Sequence, residues 1–182
     1  MSERSMKRDL LRLAPWLGAA AGPSVILTVA AVPSCAGPAP DFSAPLVSGP
    51  HQGDRLTRDS LAGEVVVLDF WASWCPPCVR SIPILNELAD RYEGRVAFYG
   101  VNVESMTGER VADIHRELGA RFPTLHDPDG RMKRAWAIQA LPTLFVLDRE
   151  GRIRHTERGI PDAEDLSEVL DGLLPASEGG PH

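Results

Sequence analysis

Apolar residues follow two different periods along the chain, and each period predicts a different element. A continuous apolar run over residues 64–70, EVVVLDF, has the length and the β-branched content of a strand buried on both faces. Apolar residues then recur over residues 76–92 at the spacing of an amphipathic helix. A second apolar run, VAFYGVNV over residues 96–103, predicts another strand, so this region begins as strand, helix, strand.

The rest of the chain predicts further helices and a closing hairpin. The turn Asp148-Arg149-Glu150-Gly151 ends in a glycine, which suits a tight connection between two strands. Strands separated by helices pair in parallel, whereas the strands of a hairpin pair antiparallel. We therefore expect one α/β domain with a mixed central β-sheet and helices on both faces. The predicted elements are helices over residues 111–118, 131–137 and 162–174, and strands over residues 143–147 and 153–157.

The first 35 residues have the layout of an export signal. A basic stretch with Arg4, Lys7, Arg8 and Arg12 precedes an uncharged, mostly apolar run over residues 13–33. The letters Val32-Pro33-Ser34-Cys35 resemble a bacterial lipobox, which predicts lipidation of Cys35; cleavage near Ala36 or an uncleaved membrane anchor are the alternatives. All three place the protein outside the cytoplasm, tethered to the membrane or periplasmic, where disulfide chemistry is permitted.

Composition divides the remaining chain and excludes one class of partner. Residues 36–50 are rich in Pro, Gly and Ser and predict a tether, residues 51–174 form the domain, and residues 175–182 predict a flexible tail. The net charge is −6, and because residues 1–35 carry an excess of two positive charges, the remainder carries −8. An acidic body lacks the basic surface that nucleic acids need, so no nucleic-acid partner is expected.

Two of the three cysteines form a C-x-x-C pair between the first predicted strand and its helix. Cys75 would lie at the helix N-terminus, where free N–H groups and the helix dipole favour a thiolate, so it is the predicted nucleophile. Cys78 follows one helical turn later, close enough to close a disulfide, and is predicted to be the more buried, resolving sulfur. Pro76 suits the first helical position because its missing N–H would have no intrahelical partner.

The alternative interpretation of the C-x-x-C pair is half of a zinc site. The sequence contains no second C-x-x-C, and His115, His126 and His155 do not fall at zinc-ligand spacing. We therefore expect neither a metal nor another bound cofactor.

The residues around the pair resemble a known family. The run DFWASWCPPC, with Pro83 eight residues after Cys75, resembles the active-site segment of thioredoxin, and Ala140-Leu141-Pro142-Thr143 resembles the loop that carries its cis-proline. The motifs APDF at residues 39–42, GVNV at residues 100–103 and PTLFVLD from Pro142 onward resemble the exported TlpA/ResA branch. The resemblance covers about residues 39–174 and implies a thioredoxin fold.

This resemblance implies a function and a substrate-binding surface. Cys75 attacks a substrate disulfide, and Cys78 then attacks the mixed disulfide and releases the product. Pro142 in the cis form would place the backbone of Leu141 beside Cys75, where it can pair with an extended substrate strand. The exposed rim of the site is expected to include the other predicted substrate-binding residues, Trp74, Pro76 and Pro77.

Two acids are candidates for proton transfer. Asp69 occupies the inward position, six residues before Cys75, at which thioredoxins keep a buried acid. Burial raises the pKa of such a carboxyl, so Asp69 is expected to exchange a proton with Cys78. Glu104 lies one residue before the place where the TlpA/ResA branch carries a functional glutamate. It is either a second acid or a solvated loop charge.

The direction of electron flow follows from the residues between the cysteines. Pro76 and Pro77 offer no N–H groups, so the N–H of Cys78 is the nearest donor to a Cys75 thiolate, and a poorly stabilised thiolate makes a better reductant. The expected partners are disulfides of exported proteins, for example apocytochrome c or copper-site assembly factors, and a membrane thiol carrier that supplies electrons. A disulfide-donating oxidant, a peroxiredoxin-like peroxidase and a Cu(I)-binding assembly module remain as alternatives.

Overall fold

A computed structural model describes residues 37–175 of the chain. The predicted export signal, the lipidation site at Cys35 and the tail beyond residue 175 lie outside the described residues. Within the described part, none of the helices combines the length and the apolar character that crossing a membrane requires.

Seven strands, four α-helices and one short 3-10 helix make up this part of the chain. The strands are β1 (Ser43–Pro45), β2 (Arg55–Thr57), β3 (Val65–Trp71), β4 (Val96–Asn102), β5 (Thr124–His126), β6 (Thr143–Leu147) and β7 (Ile153–Arg158). The helices are α1 (Pro76–Arg91), α2 (Gly108–Glu117), α3 (Arg131–Ala135) and α4 (Ala163–Leu173), and the 3-10 helix spans Asp59–Leu61.

Strand β3 lies at the centre of a five-stranded sheet of order β5-β4-β3-β6-β7. It pairs in parallel with β4 and antiparallel with β6, and all seven of its residues are buried. The pairing of β4 with β5 is parallel, and that of β6 with β7 is antiparallel. The mixed sheet and the buried central strand predicted from the apolar run are therefore confirmed.

The two faces of the sheet carry separate hydrophobic cores. Val65 and Val67 of β3 pack with leucines of α1 and α4, among them Leu85 and Leu166. The residues between them point to the other face, because side chains alternate along a strand. On that face Val66, Leu68 and Phe70 pack with Met132 of α3 and with Trp136. Helices thus cover both faces, as predicted.

The segment predicted as a tether is in part a component of the domain. Strand β1 pairs antiparallel with β2, and Ala39, Ala44 and Leu46 are all at most 4% exposed. Leu46 also bridges to Leu125, at the outer edge of the sheet. The prediction of a tether over residues 36–50 is therefore wrong from Ala39 onward. Strands of three residues are too short to show an alternating pattern among Pro, Gly and Ser, so composition concealed them.

Other elements differ from the sequence-based expectation for local reasons. Strands β2 and β5 were not predicted, because each has only three residues. Helix α3 ends at Ala135 rather than at residue 137, and Ala137 adopts a left-handed backbone with φ of 51°. Helix α2 begins at Gly108, earlier than predicted, because the side chain of Thr107 accepts a hydrogen bond from the N–H of Arg110.

The last residue of β3, Trp71, joins three strands through its indole ring. Its Nε1–H donates a hydrogen bond to Thr124 Oγ1 over 3.0 Å, and the ring stacks on His115 at a centroid distance of 5.1 Å. The indole passes so close to Gly100 that a Cβ atom there would lie 2.9 Å from Trp71 Nε1 and 2.9 Å from Thr124 Oγ1. Glycine at this position is therefore a packing requirement.

We predict that Gly100→Ala lowers the free energy of unfolding by about 1–3 kcal/mol, the usual cost of forcing a methyl group into a filled interior. The measurement is urea unfolding, monitored by tryptophan fluorescence. Gly172→Ala is the matched control, because it lies in α4 with open space around its Cβ and should stabilise the protein by up to about 1 kcal/mol. Equal stability of Gly100→Ala and the parent would contradict the prediction.

Candidate active site

Strand β3 leads through a four-residue connection into helix α1, and this junction carries both cysteines. Cys75 is the N-cap residue of α1, and it forms a disulfide with Cys78 at a Cα–Cα separation of 5.3 Å. The two residues are 3% and 2% exposed. Cys78 is the more buried of the two, as predicted, but in the oxidised protein the difference is only one percentage point. Apolar side chains, including Val103 and Leu141, pack against the pair and shield both residues.

The donors available to Cys75 are few. The backbone N–H of Cys78 donates to Cys75 Sγ over 3.3 Å, as the sequence predicts for the nearest donor. Pro76 and Pro77 occupy the first two helical positions and have no N–H to offer. A thiolate formed at Cys75 therefore depends on one N-cap hydrogen bond where a helix start with non-proline residues provides up to two.

The predicted substrate-binding residues surround the disulfide but differ in exposure. Trp74 is 68% exposed, Pro76 is exposed, and Pro77 and Leu141 are half-buried. The Leu141–Pro142 peptide bond is cis, as the resemblance implies. Pro142 itself is buried, and its carbonyl accepts a hydrogen bond from the N–H of Gly159. A substrate can therefore meet Leu141 and Trp74 directly, while Pro142 shapes the loop beneath them.

Asp69 lies in the middle of β3 on the face that α1 covers. It is 3% exposed, and its Oδ1 atom has no hydrogen-bond partner among residues 37–175. Removal from water raises the pKa of this carboxyl from 3.8 to about 8. A carboxyl with such a pKa is mainly neutral at pH 7, and its affinity for a proton is close to that of a thiol.

Glu104 ties the loop in front of Cys75 to the end of β4. Its carboxylate accepts hydrogen bonds from Ser73 N–H at 2.6 Å, from the Ser73 hydroxyl at 2.9 Å and from the Asn102 side-chain amide at 3.0 Å. Its own N–H donates to Asn102 Oδ1, and its carbonyl lies 3.0 Å from His126 Nε2. Glu104 is therefore held in the structure and is not a solvated loop charge. These contacts give it a positioning role, and a role as a second acid stays a prediction.

The contacts of Ser73, Asn102 and Thr124 at the site were not predicted, although Ser73 and Asn102 lie within the motifs that carry the resemblance. Ser73 lies 31 residues from Glu104, and Trp71 lies 53 residues from Thr124, so no local pattern links them. Across residues 37–175 no three His, Cys, Asp or Glu side chains group in a way that could hold a metal ion.

A disulfide at a helix N-terminus, next to a cis-proline loop on a thioredoxin fold, is the arrangement of the thiol–disulfide oxidoreductases, and this chain is one of them. It belongs to the AhpC/TSA family, whose family model matches residues 36–156.

Two curated relatives and one solved structure agree with this class. The thiol:disulfide interchange protein DsbE of Allochromatium vinosum is 35% identical over 143 residues, which cover 79% of this chain and 77% of the relative. The thiol-disulfide oxidoreductase ResA of Geobacillus thermodenitrificans is 32% identical over 141 residues, covering 75% and 76%. The exposed lipoprotein thioredoxin of Streptococcus pneumoniae strain TIGR4 matches with a TM-score of 0.63 and 26% identity, covering 73% of this chain and 99% of that one.

We predict that Asp69→Asn stabilises the oxidised protein increasingly as the pH rises from about 4 to about 8. Above pH 3.8 an unfolded Asp ionises while folded Asp69 stays neutral, so the parent loses about 1.4 kcal/mol of stability per pH unit until the folded pKa of about 8. Asparagine does not ionise and escapes this loss. Urea unfolding at several pH values measures the difference, with the exposed Asp54→Asn as control. Parallel profiles for Asp69→Asn and the parent would show that the burial of Asp69 carries no penalty.

We predict that Glu104→Ala loosens the loop in front of Cys75. The Ser73 N–H loses a charged acceptor, which lowers the free energy of unfolding by about 1–3 kcal/mol and speeds hydrogen exchange of that amide. Glu104→Gln keeps one acceptor oxygen and should lie between the parent and Glu104→Ala. Hydrogen exchange of the Ser73 amide, read by NMR, is the decisive measurement, and an unchanged rate in Glu104→Ala would refute the positioning role.

Proposed function

We propose that the protein reduces disulfides in exported proteins and is recharged by a membrane thiol carrier. The observation that carries the direction is the shortage of hydrogen-bond donors at Cys75, whose sulfur accepts from Cys78 N–H alone among the N-cap donors of α1. A strong oxidant owes its power to a well-stabilised reduced form. Two prolines at the start of α1 leave the reduced form with a poorly stabilised thiolate, which favours donation of electrons.

In the proposed cycle the Cys75 thiolate attacks one sulfur of a substrate disulfide. A Cys75–substrate disulfide forms, and the first substrate sulfur leaves as a thiolate. Cys78 then loses its proton and attacks Cys75 Sγ, which closes the Cys75–Cys78 disulfide and releases the second substrate sulfur. The substrate gains two electrons, and the protein loses two.

Asp69 is the proposed proton acceptor for Cys78 in the second step. Its pKa of about 8, raised by burial, lets this carboxyl hold a proton at neutral pH, which an aspartate with the usual pKa of 3.8 does not do. During recharging the same carboxyl, in its neutral form, returns the proton to the Cys78 sulfur.

The proposed location is outside the cytoplasm, with attachment to the membrane through the N-terminus. The basic and apolar order of residues 1–33 supports export, and the name of the pneumococcal neighbour, an exposed lipoprotein, agrees with lipidation at Cys35. An uncleaved anchor or release after cleavage near Ala36 remain as alternatives. Proteins that must present free thiols after export, such as apocytochrome c or copper-site assembly factors, are the proposed substrates.

The reduction potential of the Cys75–Cys78 pair tests the direction. For the full chain, equilibrated against glutathione or dithiothreitol, we expect about −270 mV, the value of thioredoxin itself, or lower. A value near about −120 mV would reverse the direction and make the protein a disulfide donor. The absence of any reversible two-electron couple would contradict thiol exchange and favour the alternative of Cu(I) binding.

A pair of proline variants tests the cause of the potential. Pro77→Ala restores an N–H at the second helical position, one of the two positions from which an N-cap side chain accepts. A hydrogen bond to a charged group contributes about 1.5–3 kcal/mol, so the potential should become less negative by about 30–60 mV. Pro76→Ala is the matched control, because the first helical position does not supply this bond. Equal shifts in the two variants would contradict the explanation.

A further inference from the structure

A groove with a volume of about 470 Å³ opens at the end of the sheet where β4 and β5 finish. Three loops form it: residues 103–105 after β4, residues 128–130 after β5, and residues 137–139 before β6. Strands β3, β4 and β5 are parallel, and β6 runs opposite to β3. All three loops therefore lie at the same end of the strands, where β3 leads to Cys75. We call this feature the basic groove, for the two cations that α3 contributes to it.

The inner wall of the basic groove is shared with the redox site. The N–H of Val103 donates to the carbonyl of Trp71 over 3.2 Å, and the Val103 side chain packs against the cluster that contains Cys75 and Cys78. Gln139, another lining residue, lies two residues before Leu141, which packs against the same cluster. The basic groove and the cysteine pair are therefore linked through Val103 and through the segment from Gln139 to Leu141.

The charged side chains that line the basic groove are Lys133, Arg134 and Asp129, two cations and one anion, so its net charge is +1, opposite in sign to that of the domain as a whole. Lys133 is half-buried and forms no ion pair with any of residues 37–175. Arg134 donates to the backbone carbonyl of Asp129 and has no carboxylate partner in the same part of the chain. The Asp129 carboxylate pairs instead with Arg131, which is not part of the groove, at 3.8 Å.

The remaining lining suits an extended polypeptide. Val103 and Ile138 supply apolar surface, while Ser105 and Gln139 supply hydrogen-bonding side chains. The nearby Glu104 does not neutralise the cations by contact, because its carboxylate oxygens accept from Ser73 and Asn102. A partly desolvated cation without a counter-charge favours an anionic ligand, and an apolar floor beside it favours a chain over a free ion.

We propose that the basic groove binds an acidic segment of the substrate polypeptide next to the disulfide that Cys75 attacks, with Lys133 and Arg134 as specificity-determining residues. This inference rests on the proposed reductase function and adds the class of substrate. Glu or Asp side chains of the substrate would face the two cations, while its backbone continues past Gln139 towards Leu141. The interaction accelerates encounter and selects among exported disulfides, and leaves the chemistry at Cys75 unchanged.

The experiment compares three disulfide peptides that are identical except for four residues on one side of the cysteine, which are Glu, Gln or Lys. The reduced full chain is mixed with each peptide, and the second-order rate is followed by tryptophan fluorescence at low and at physiological salt. We expect the Glu peptide to react at least about 10-fold faster than the Gln peptide at low salt, and the advantage to shrink as salt screens the charges. Equal rates for the Glu and Gln peptides would overturn the proposal.

A charge-reversal variant tests the proposal through the order of the three peptide rates, which a small loss of folded protein would not change. The double variant Lys133→Glu/Arg134→Glu should lose the preference for the Glu peptide and react fastest with the Lys peptide. Arg149→Glu is the matched control and should behave as the parent. It lies in the β6–β7 turn, at the end of the strands opposite to the groove.

The outcomes separate the two proposals. If all three peptides are reduced at one common rate, and the double variant does not change it, the proposed role of the basic groove is wrong and the reductase function still holds. Failure to reduce any peptide contradicts the reductase function, and the substrate preference that depends on it falls as well.

Discussion

Burial of strand β3 on both faces is the constraint on which the rest of the site depends. Because the strand has neighbours on each side and helices above and below, Asp69 has no access to water and no hydrogen-bond partner for Oδ1 among residues 37–175. The same burial holds Trp71 against Gly100, so the chain leaves the sheet at one defined point. Cys75 then caps α1 directly beyond that point, and its environment is set by packing and not by the cysteine itself.

The start of the connection between β3 and α1 is anchored by two contacts from distant parts of the chain. Trp71 donates a hydrogen bond to Thr124 on β5, and Ser73 donates one to Glu104 beyond β4. Neither hydrogen bond uses a backbone N–H of α1. The number of donors available to Cys75 therefore depends on the two prolines at the start of that helix. The rigidity of the site and its proposed redox direction therefore have separate physical causes.

Substrate selection has a third cause, which is also separate. The exposed Trp74 and the half-buried Leu141 offer apolar and backbone contacts that any unfolded disulfide protein can use. The basic groove adds charge on one side only, against a domain that is acidic overall. In the proposed function this combination would let the protein reduce many disulfides by the same chemistry and reach some of them sooner, because electrostatic complementarity acts mainly on the rate of encounter.

Features that depend on local order could be predicted from the amino-acid sequence: the apolar run of β3, the helical spacing of α1, the C-x-x-C pair between them and the prolines that limit its donors. The resemblance of the Leu141–Pro142 loop was specific enough to predict its cis bond. Packing between distant segments accounts for the rest: residues 39–46 belong to the domain, Glu104 is hydrogen-bonded to Ser73, and Lys133 and Arg134 line a groove together with Val103. These features depend on contacts between residues tens of positions apart, and such contacts arise from packing, which no local period in the sequence records.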